Sequence, residues 1–356
     1  MGSTSEPLIL DAARVVDGVG SVVGLEERVT TLVAKGLTVG ELGIDSLRSP
    51  WLGKPDRRGP VFQSGCAPLL ALARARELLS DGTAEAVVIR GDEPLRTGYE
   101  RSERDRLMRV YGETSIPEAY TRLARLQMER LGLDAQAYGR LADALLHNYV
   151  RTARRLELPP RSAHGDRAAT SLFRYADCAN PNVDFRGAVL LGSVRAAAAL
   201  GLSLGAQPRL LGVAVELVDD GPEHLAAIVD YAHLRRAYDG ACEQAQLDFG
   251  ARFDAGEGLL EAYTCFPPVP LGMLLVTGLA ENPAALERLL ARREITVTGG
   301  MNRAGAPWHN PALNGLIVLW ERLRSPEPRA SRVGLVHGNG GLGGYQGVAI
   351  IGAGAA

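Results

Sequence analysis

The chain has 356 residues, 46% of them hydrophobic and 22% charged, with a formal net charge of -2. That balance suits a globular chain of two domains or one large duplicated fold, and it excludes the basic footprint of a nucleic-acid binder. No apolar run approaches the ~20 residues of a membrane span, and the opening residues do not read as a secretion signal, so a cytoplasmic protein is expected. Cys66, Cys178, Cys242 and Cys265 lack any C-x-x-C or zinc spacing, so they read as free thiols of a reducing cytoplasm.

In chain order, Pro7 to Val16 reads as a buried strand, followed by a glycine turn at Gly18-Val19-Gly20. Leu25 to Lys35 has helical spacing. Ala67 to Ser80 is a strong helix with apolar residues at intervals of three and four, begun by Cys66. Ala84 to Arg90, apolar apart from Glu85 and Arg90, reads as a central parallel strand and completes a βαβ unit. From Pro94 to Ser162 the composition turns charged and helical, which predicts an insertion over one end of the sheet rather than core. Strands resume at Gly187 to Ser193 and Arg209 to Leu217. A helix follows from about Pro222 to Phe249, then a strand at Gly258 to Tyr263 and a proline-studded helix start at Phe266. Pro311 to Leu323 is a further helix, and Val333 to His337 and Gln346 to Ile351 close the chain as strands.

Two short motifs carry the chemistry. Gln63-Ser64-Gly65-Cys66-Ala67 lies where a strand gives way to a helix, and His337-Gly338-Asn339-Gly340-Gly341 ends a strand near the C-terminus. A cysteine at a helix N-terminus feels the positive end of the dipole, which favours thiolate. A histidine returning beside it would exchange a proton, and glycines would leave backbone N–H groups free for an oxyanion. Together they point to acyl chemistry on a thioester. The bland readings stand beside these: His337 as a satisfied histidine in a glycine turn, Tyr263 as a packing tyrosine, His309 as part of a loop fixed by Trp308 and Pro311. Cys178, Cys242 and Cys265 read as small core hydrophobes, and His147 as a helix-face residue. Gly338 to Gly343 matches G-x-G-x-x-G but lacks the following helix, and Gly18 to Gly24 is loosely spaced, so neither supports a dinucleotide site. Arg96 to Arg109 is interleaved with acids and reads as a solvated helix face.

Five motifs in order resemble the thiolase superfamily, in particular its sterol-carrier-like branch often called acetyl-CoA acetyltransferase. They are Cys66 at its helix start, Asp184-Phe185-Arg186-Gly187-Ala188-Val189, Tyr263-Thr264-Cys265-Phe266, the run from Gly299-Gly300 to Ala306-Pro307, and His337 to Gly341. Leu8 to Arg14 is similar to the first thiolase strand. The resemblance implies a duplicated α/β fold in five layers, αβαβα, with halves at 1–200 and 201–356 and a helical insertion at about 94–162. It implies a homodimer, with acyl-CoA or an acyl-carrier thioester as substrate and no bound cofactor or metal. By position, Cys66 would accept the acyl group, and the N–H groups of Cys66 and Asn339, with Gly340 beside them, would hold the oxyanion. His337 would exchange a proton. The chain departs from the pattern at Ala306, where the family's Gly-His-Pro motif has histidine. Tyr263, with His309, would polarise the second carbonyl in its place. Two alternatives are a retro-aldol lyase in which Tyr263 is the acid or base and Cys66 is spare, working with a small OB-fold/zinc-ribbon partner, and a non-catalytic subunit.

Overall fold

The computed structural model describes residues 6–51, 53, 56–159, 165–325 and 332–354. The chain opens with β1 (Leu8–Val16), β2 (Val19–Gly20), α1 (Val23–Ala34), β3 (Val39–Ile44), β4 (Val61–Phe62), α2 (Ala67–Ser80) and β5 (Ala86–Pro94). Three helices follow, α3 (Arg101–Leu107), α4 (Ile116–Leu131) and α5 (Ala135–Arg155), then β6 (Asp184–Gly192) and α6 (Val194–Ala199). The remainder begins with β7 (Arg209–Leu217), α7 (Leu225–Ile228), α8 (Ala232–Ala245), α9 (Phe249–Asp254) and β8 (Gly258–Glu261). It ends with α10 (Pro268–Val276), α11 (Pro283–Arg292), α12 (Pro311–Leu323), β9 (Val333–Gly340) and β10 (Tyr345–Gly352).

The strands hydrogen-bond in the order β4-β3-β5-β6-β1-β7-β10-β9-β8, with β2 beside β1. The join between β1 and β7 is slight: one register pair, Leu8 with Arg209. Side chains alternate across a strand with period two, and each strand here divides between two cores. Leu8, Leu10, Ala86 and Val88 face α1 and α6 through Leu25, Val29, Leu32 and Ala196. Ile9, Val87, Ile89, Ala349 and Ile351 face a middle layer built from α2 and α12. Val348 and Ile350 turn the other way, towards Leu234, Ala237, Leu271 and Met273 of α8 and α10. Helices, sheet, two buried helices, sheet and helices make five layers, as the resemblance implied.

The first half of α2 and nearly all of α12 are buried on every side, which is why those stretches are almost wholly apolar, whereas Glu77 and Ser80 near the end of α2 are exposed. In α12 every residue from Pro311 to Trp320 is buried, and Trp320 donates its indole N–H to the Ile9 carbonyl at 3.1 Å. Each fully buried leucine there contributes about 1.5–3 kcal/mol relative to exposure.

Three sequence expectations are corrected. Much of the 94–162 insertion is core rather than cover. While α3 has no buried residue and keeps the predicted covering character, Ala119, Tyr120 and Leu123 of α4 and Tyr138, Leu141 and Leu145 of α5 belong to the same buried cluster as α8 and α10. Their three- and four-residue spacing gives each helix a single apolar stripe under a charged outer face. Ser115 and Asp134 cap the two helices through their side chains, and Gly132 ends α4 in a left-handed conformation. The predicted end of the insertion, Ser162, lies outside the described residues. The helix predicted from Pro222 to Phe249 is divided into α7, α8 and the start of α9, with Tyr231 at φ 49 and Gln246 at φ 52 breaking the helical path. Finally β3 and α11 were not anticipated, β3 because its two glycines, Gly40 and Gly43, dilute the strand pattern.

Candidate active site at the start of α2

The turn from β4 into α2 is tight. Ser64 adopts φ 82, a region non-glycine residues rarely occupy, and its hydroxyl accepts the Cys66 N–H at 3.2 Å. Such backbone strain persists only where the surroundings over-determine it. Here the surroundings are glycines. A Cβ on Gly340 would fall 2.5 Å from Ser64 Oγ, and one on Gly65 would fall 2.0 Å from Tyr263 Oη and 2.2 Å from the Asn339 carbonyl oxygen. Gly338 and Gly347 face each other across the β9–β10 ladder. A Cβ on Gly347 would lie 2.9 Å from Cys66 Sγ, and one on Gly338 would lie 3.4 Å from Cys66 Cα. The glycines of the HGNGG motif therefore serve close approach of α2 to the sheet.

This packing seals Cys66. The residue has no exposed surface, and burial pushes its thiol well above the usual range, with nearby Arg57 pulling weakly the other way. Desolvation outweighs the helix dipole that the sequence invoked for a thiolate. The Cys66 N–H, assigned by analogy to the oxyanion, is already donated to Ser64. Alkylation of the native protein is expected to label half-buried Cys242 first and to leave Cys66 unmodified until unfolding, which peptide mass spectrometry checks.

His337 and Cys66 are not brought together. Gly338 and Gly340 face α2, so strand alternation turns His337 and Asn339 to the opposite face of β9. There His337 Nδ1 accepts the Tyr263 N–H at 3.4 Å and Nε2 donates to Gln346 Oε1 at 2.7 Å. Gln346 donates in turn to Asn339 Oδ1 and the Gly343 carbonyl, Asn339 donates to the Tyr120 hydroxyl, and Tyr120 donates to the Gly341 carbonyl. Both imidazole nitrogens are occupied, and burial lowers the His337 pKa to about 4. A saturated neutral imidazole of this kind positions its neighbours, Tyr263 above all.

Tyr263 follows β8, and its ring lies edge-on to His337 with centroids 6.4 Å apart. Its hydroxyl reaches the β4–α2 turn at Gly65. Burial raises its pKa well above 10, so it is a neutral phenol. Two residues earlier, buried Glu261 accepts hydrogen bonds from Val297 N–H at 2.7 Å, Thr298 N–H at 3.0 Å and the Thr298 hydroxyl at 2.6 Å. It thereby ties the approach to Tyr263 to the segment before Gly299.

Burial raises Glu261 to about 7, and Glu93 likewise, although Tyr99 and the Leu47 N–H bond to the Glu93 carboxyl. Both folded-state values lie above the unfolded value near 4.5, so folding takes up protons between the two. The corresponding stability is present below pH 4.5 and is lost as pH rises through about 7. Thermal melts between pH 5 and 8 are expected to fall with rising pH.

His309 stands apart from the Cys66 packing. Its Nδ1 bonds the Asp45 carbonyl at 3.0 Å, and its ring lies 6.1 Å from Trp51 and 5.6 Å from Trp308. Asp45 links the two regions, because its carboxylate accepts the Gln63 amide at 2.9 Å. Sequence reasoning missed Gln346, Asp45 and Asn310, and it named Ser64 within the Cys66 motif without giving it a role. Of the three, only Gln346 had a signal: a hairpin closing on Gly343-Gly344 pairs it with Asn339.

No protein-family model and no curated protein matches this chain. Solved structures do. A monomeric SCP2-thiolase like protein type 1 from Mycobacterium smegmatis superposes with a TM-score of 0.69 at 19% identity, over 99% of this chain and 78% of that one. The fold is thiolase-like. A structure described as an Ltp2-ChsH2(DUF35) aldolase gives 0.66 at 16% identity, with 98% of both chains covered. The Bacillus anthracis acetyl-CoA acetyltransferase gives 0.63 at 14% identity, over 99% of this chain and all (100%) of that one. On this thiolase-like scaffold, no described helix is long and apolar enough to cross a membrane. Among the described residues no group of three or more His, Cys, Asp or Glu could hold a metal ion.

Proposed function

We propose that this thiolase-like chain makes or breaks a carbon–carbon bond in an acyl-thioester without a cysteine-acyl intermediate, with Tyr263 moving the proton. The observation that carries this reading is the contrast at the β4–α2 turn. The Cys66 thiol is sealed beneath Gly338 and Gly347, with His337 on the far side of the sheet, whereas the Tyr263 hydroxyl reaches the turn itself. A neutral phenol suits a retro-aldol step. It gives its proton to the α-carbon as the Cα–Cβ bond breaks, and it recovers one from the β-hydroxyl as that oxygen becomes a carbonyl. The atoms balance with no oxidant or metal. Burial suits the phenol to the donor role by holding it protonated at neutral pH.

The aldolase with the same fold bears its DUF35 partner in its description, which supports a small partner protein for this chain too. The SCP2-thiolase like protein is described as monomeric, so a homodimer is not a requirement of the fold.

The test is incubation of the full chain with 3-hydroxyacyl-CoA thioesters, alone and with a small OB-fold/zinc-ribbon protein. Intact mass and liquid chromatography–mass spectrometry are read together. A carbonyl product with a shortened acyl-CoA, and no adduct on the protein, is the expected result. An acyl adduct that disappears in Cys66→Ala would overturn it in favour of acyl transfer through Cys66. Absence of any product under both conditions would leave a non-catalytic subunit.

A further inference from the structure

The turn that joins β9 to β10 has almost no conformational preference of its own. Four of the five residues 340–344 are glycine, and Gly341 and Gly343 have positive φ, 61 and 119. Glycine loses more backbone freedom on folding than any other residue, so a turn of this composition keeps one shape only where its surroundings impose it.

Those surroundings centre on one side chain. Asp220, in the connection between β7 and α7, sets its carboxylate inside the turn. Its Oδ1 accepts the Leu342 N–H at 2.8 Å and the Gly344 N–H at 3.1 Å, and its Oδ2 accepts the Tyr111 hydroxyl at 3.2 Å. Two residues earlier, the Val218 N–H donates to the Gly344 carbonyl at 2.9 Å. A Cβ on Gly341 would fall 1.9 Å from Asp220 Oδ2, and one on Gly344 would fall 2.7 Å from Asp220 Cβ, so the glycines are what admit this side chain. Bonds to a carboxylate are stronger than bonds to a neutral acceptor, which suits it to act as a clamp. The carbonyls of the turn are held from elsewhere: Gly341 by the Tyr120 hydroxyl at 2.7 Å, and Gly343 by Gln346 at 2.9 Å and His233 Nε2 at 2.6 Å.

The clamped turn meets Tyr263 at both ends. At the hydroxyl end, the point where Gly65 would carry a Cβ lies 2.0 Å from Tyr263 Oη and 2.2 Å from the Asn339 carbonyl oxygen, so phenol and carbonyl crowd one place. At the backbone end, Gln346 accepts from His337 Nε2 at 2.7 Å, and His337 Nδ1 accepts the Tyr263 N–H at 3.4 Å. We infer that Asp220 is a positioning residue: by fixing the glycine turn it fixes where the Tyr263 hydroxyl points. The inference rests on the reading of Tyr263 as the group that moves the proton.

The test combines ring-carbon NMR of tyrosine-labelled full chain with steady-state kinetics on a 3-hydroxyacyl-CoA. The Tyr263 signal is identified by its loss in Tyr263→Phe. Asp220→Ala is expected to shift that signal and to lower kcat by about ten- to a hundredfold with KM little changed, the loss that a small misplacement of a reacting group brings. Asp220→Asn keeps an oxygen for the two N–H groups and an NH2 that donates to the Tyr111 oxygen, so it is expected to restore both readouts. An unchanged Tyr263 signal with unchanged kcat in Asp220→Ala would overturn the inference. Equal losses in Asp220→Ala and Asp220→Asn would overturn it too, since they would trace the effect to charge rather than to the clamp. A wild type without turnover, whose Tyr263 signal still moves in Asp220→Ala, would refute the proton-transfer reading while upholding the link from Asp220 to Tyr263. If Asp220→Ala does not fold, Gly341→Ala, whose methyl would displace the carboxylate, supplies the same comparison.

Discussion

Tyr263→Phe is expected to lower turnover of a 3-hydroxyacyl thioester by about two to four orders of magnitude, the range lost with a positioned proton donor. Cys66→Ala is expected to leave turnover close to wild type. The asymmetry follows from placement. Tyr263 Oη stands over the glycine that opens the turn, and phenylalanine keeps the ring packed against His337 while removing only the proton. Cys66 Sγ faces Gly347 and Leu69 inside the middle layer, where alanine leaves a small void worth about 1 kcal/mol of stability rather than catalysis. Steady-state kinetics of both variants check this. A collapse in Cys66→Ala with Tyr263→Phe unaffected would reverse the assignment.

Glu261→Ala is expected to be the most destabilising single change near the site, by roughly 3 kcal/mol or more, because it orphans two buried N–H groups and a hydroxyl at once. Glu261→Gln is the informative control. Its amide oxygen can accept both N–H groups while its NH2 donates to the Thr298 hydroxyl, so most of the stability is retained. Without a titratable group at this position, the fall in melting temperature between pH 5 and 8 should flatten in Glu261→Gln, leaving the Glu93 contribution. Thermal unfolding of the two variants across that range measures both effects. Loss of turnover in Glu261→Ala should accompany loss of stability, since residue 261 fixes the backbone two positions before Tyr263.

The parts of the fold legible in the sequence were those set by local pattern. The apolar three- and four-residue spacing of α2, the apolar run Ala86–Ile89 that opens β5 and the position of Cys66 at a helix start all follow from periodicity and composition. The glycine-rich ends of β9 were visible, but their purpose was misread. Glycine beside a histidine looks the same whether it frees N–H groups for an oxyanion or lets a helix press against a sheet. Only the packing of α2 on Gly338 and Gly347 distinguishes the two. The insertion was misplaced for a related reason: a charged composition describes the outer face of α4 and α5 and hides their buried stripe.

Side-chain type and order along the chain are properties of the sequence, and by themselves they determined that this protein has alternating strands and helices with two candidate motifs at opposite ends. Which of those residues meet was decided only by the tertiary structure. A strand sends neighbouring side chains to opposite faces, so a one-residue step separates Gly338, which touches Cys66, from His337, which bonds Gln346 on the other side of the sheet. The same holds for ionisation. The helix dipole at Cys66 is implied by its position, but the desolvation that overrides it comes from elements more than 250 residues away in sequence, brought in by β9 and β10.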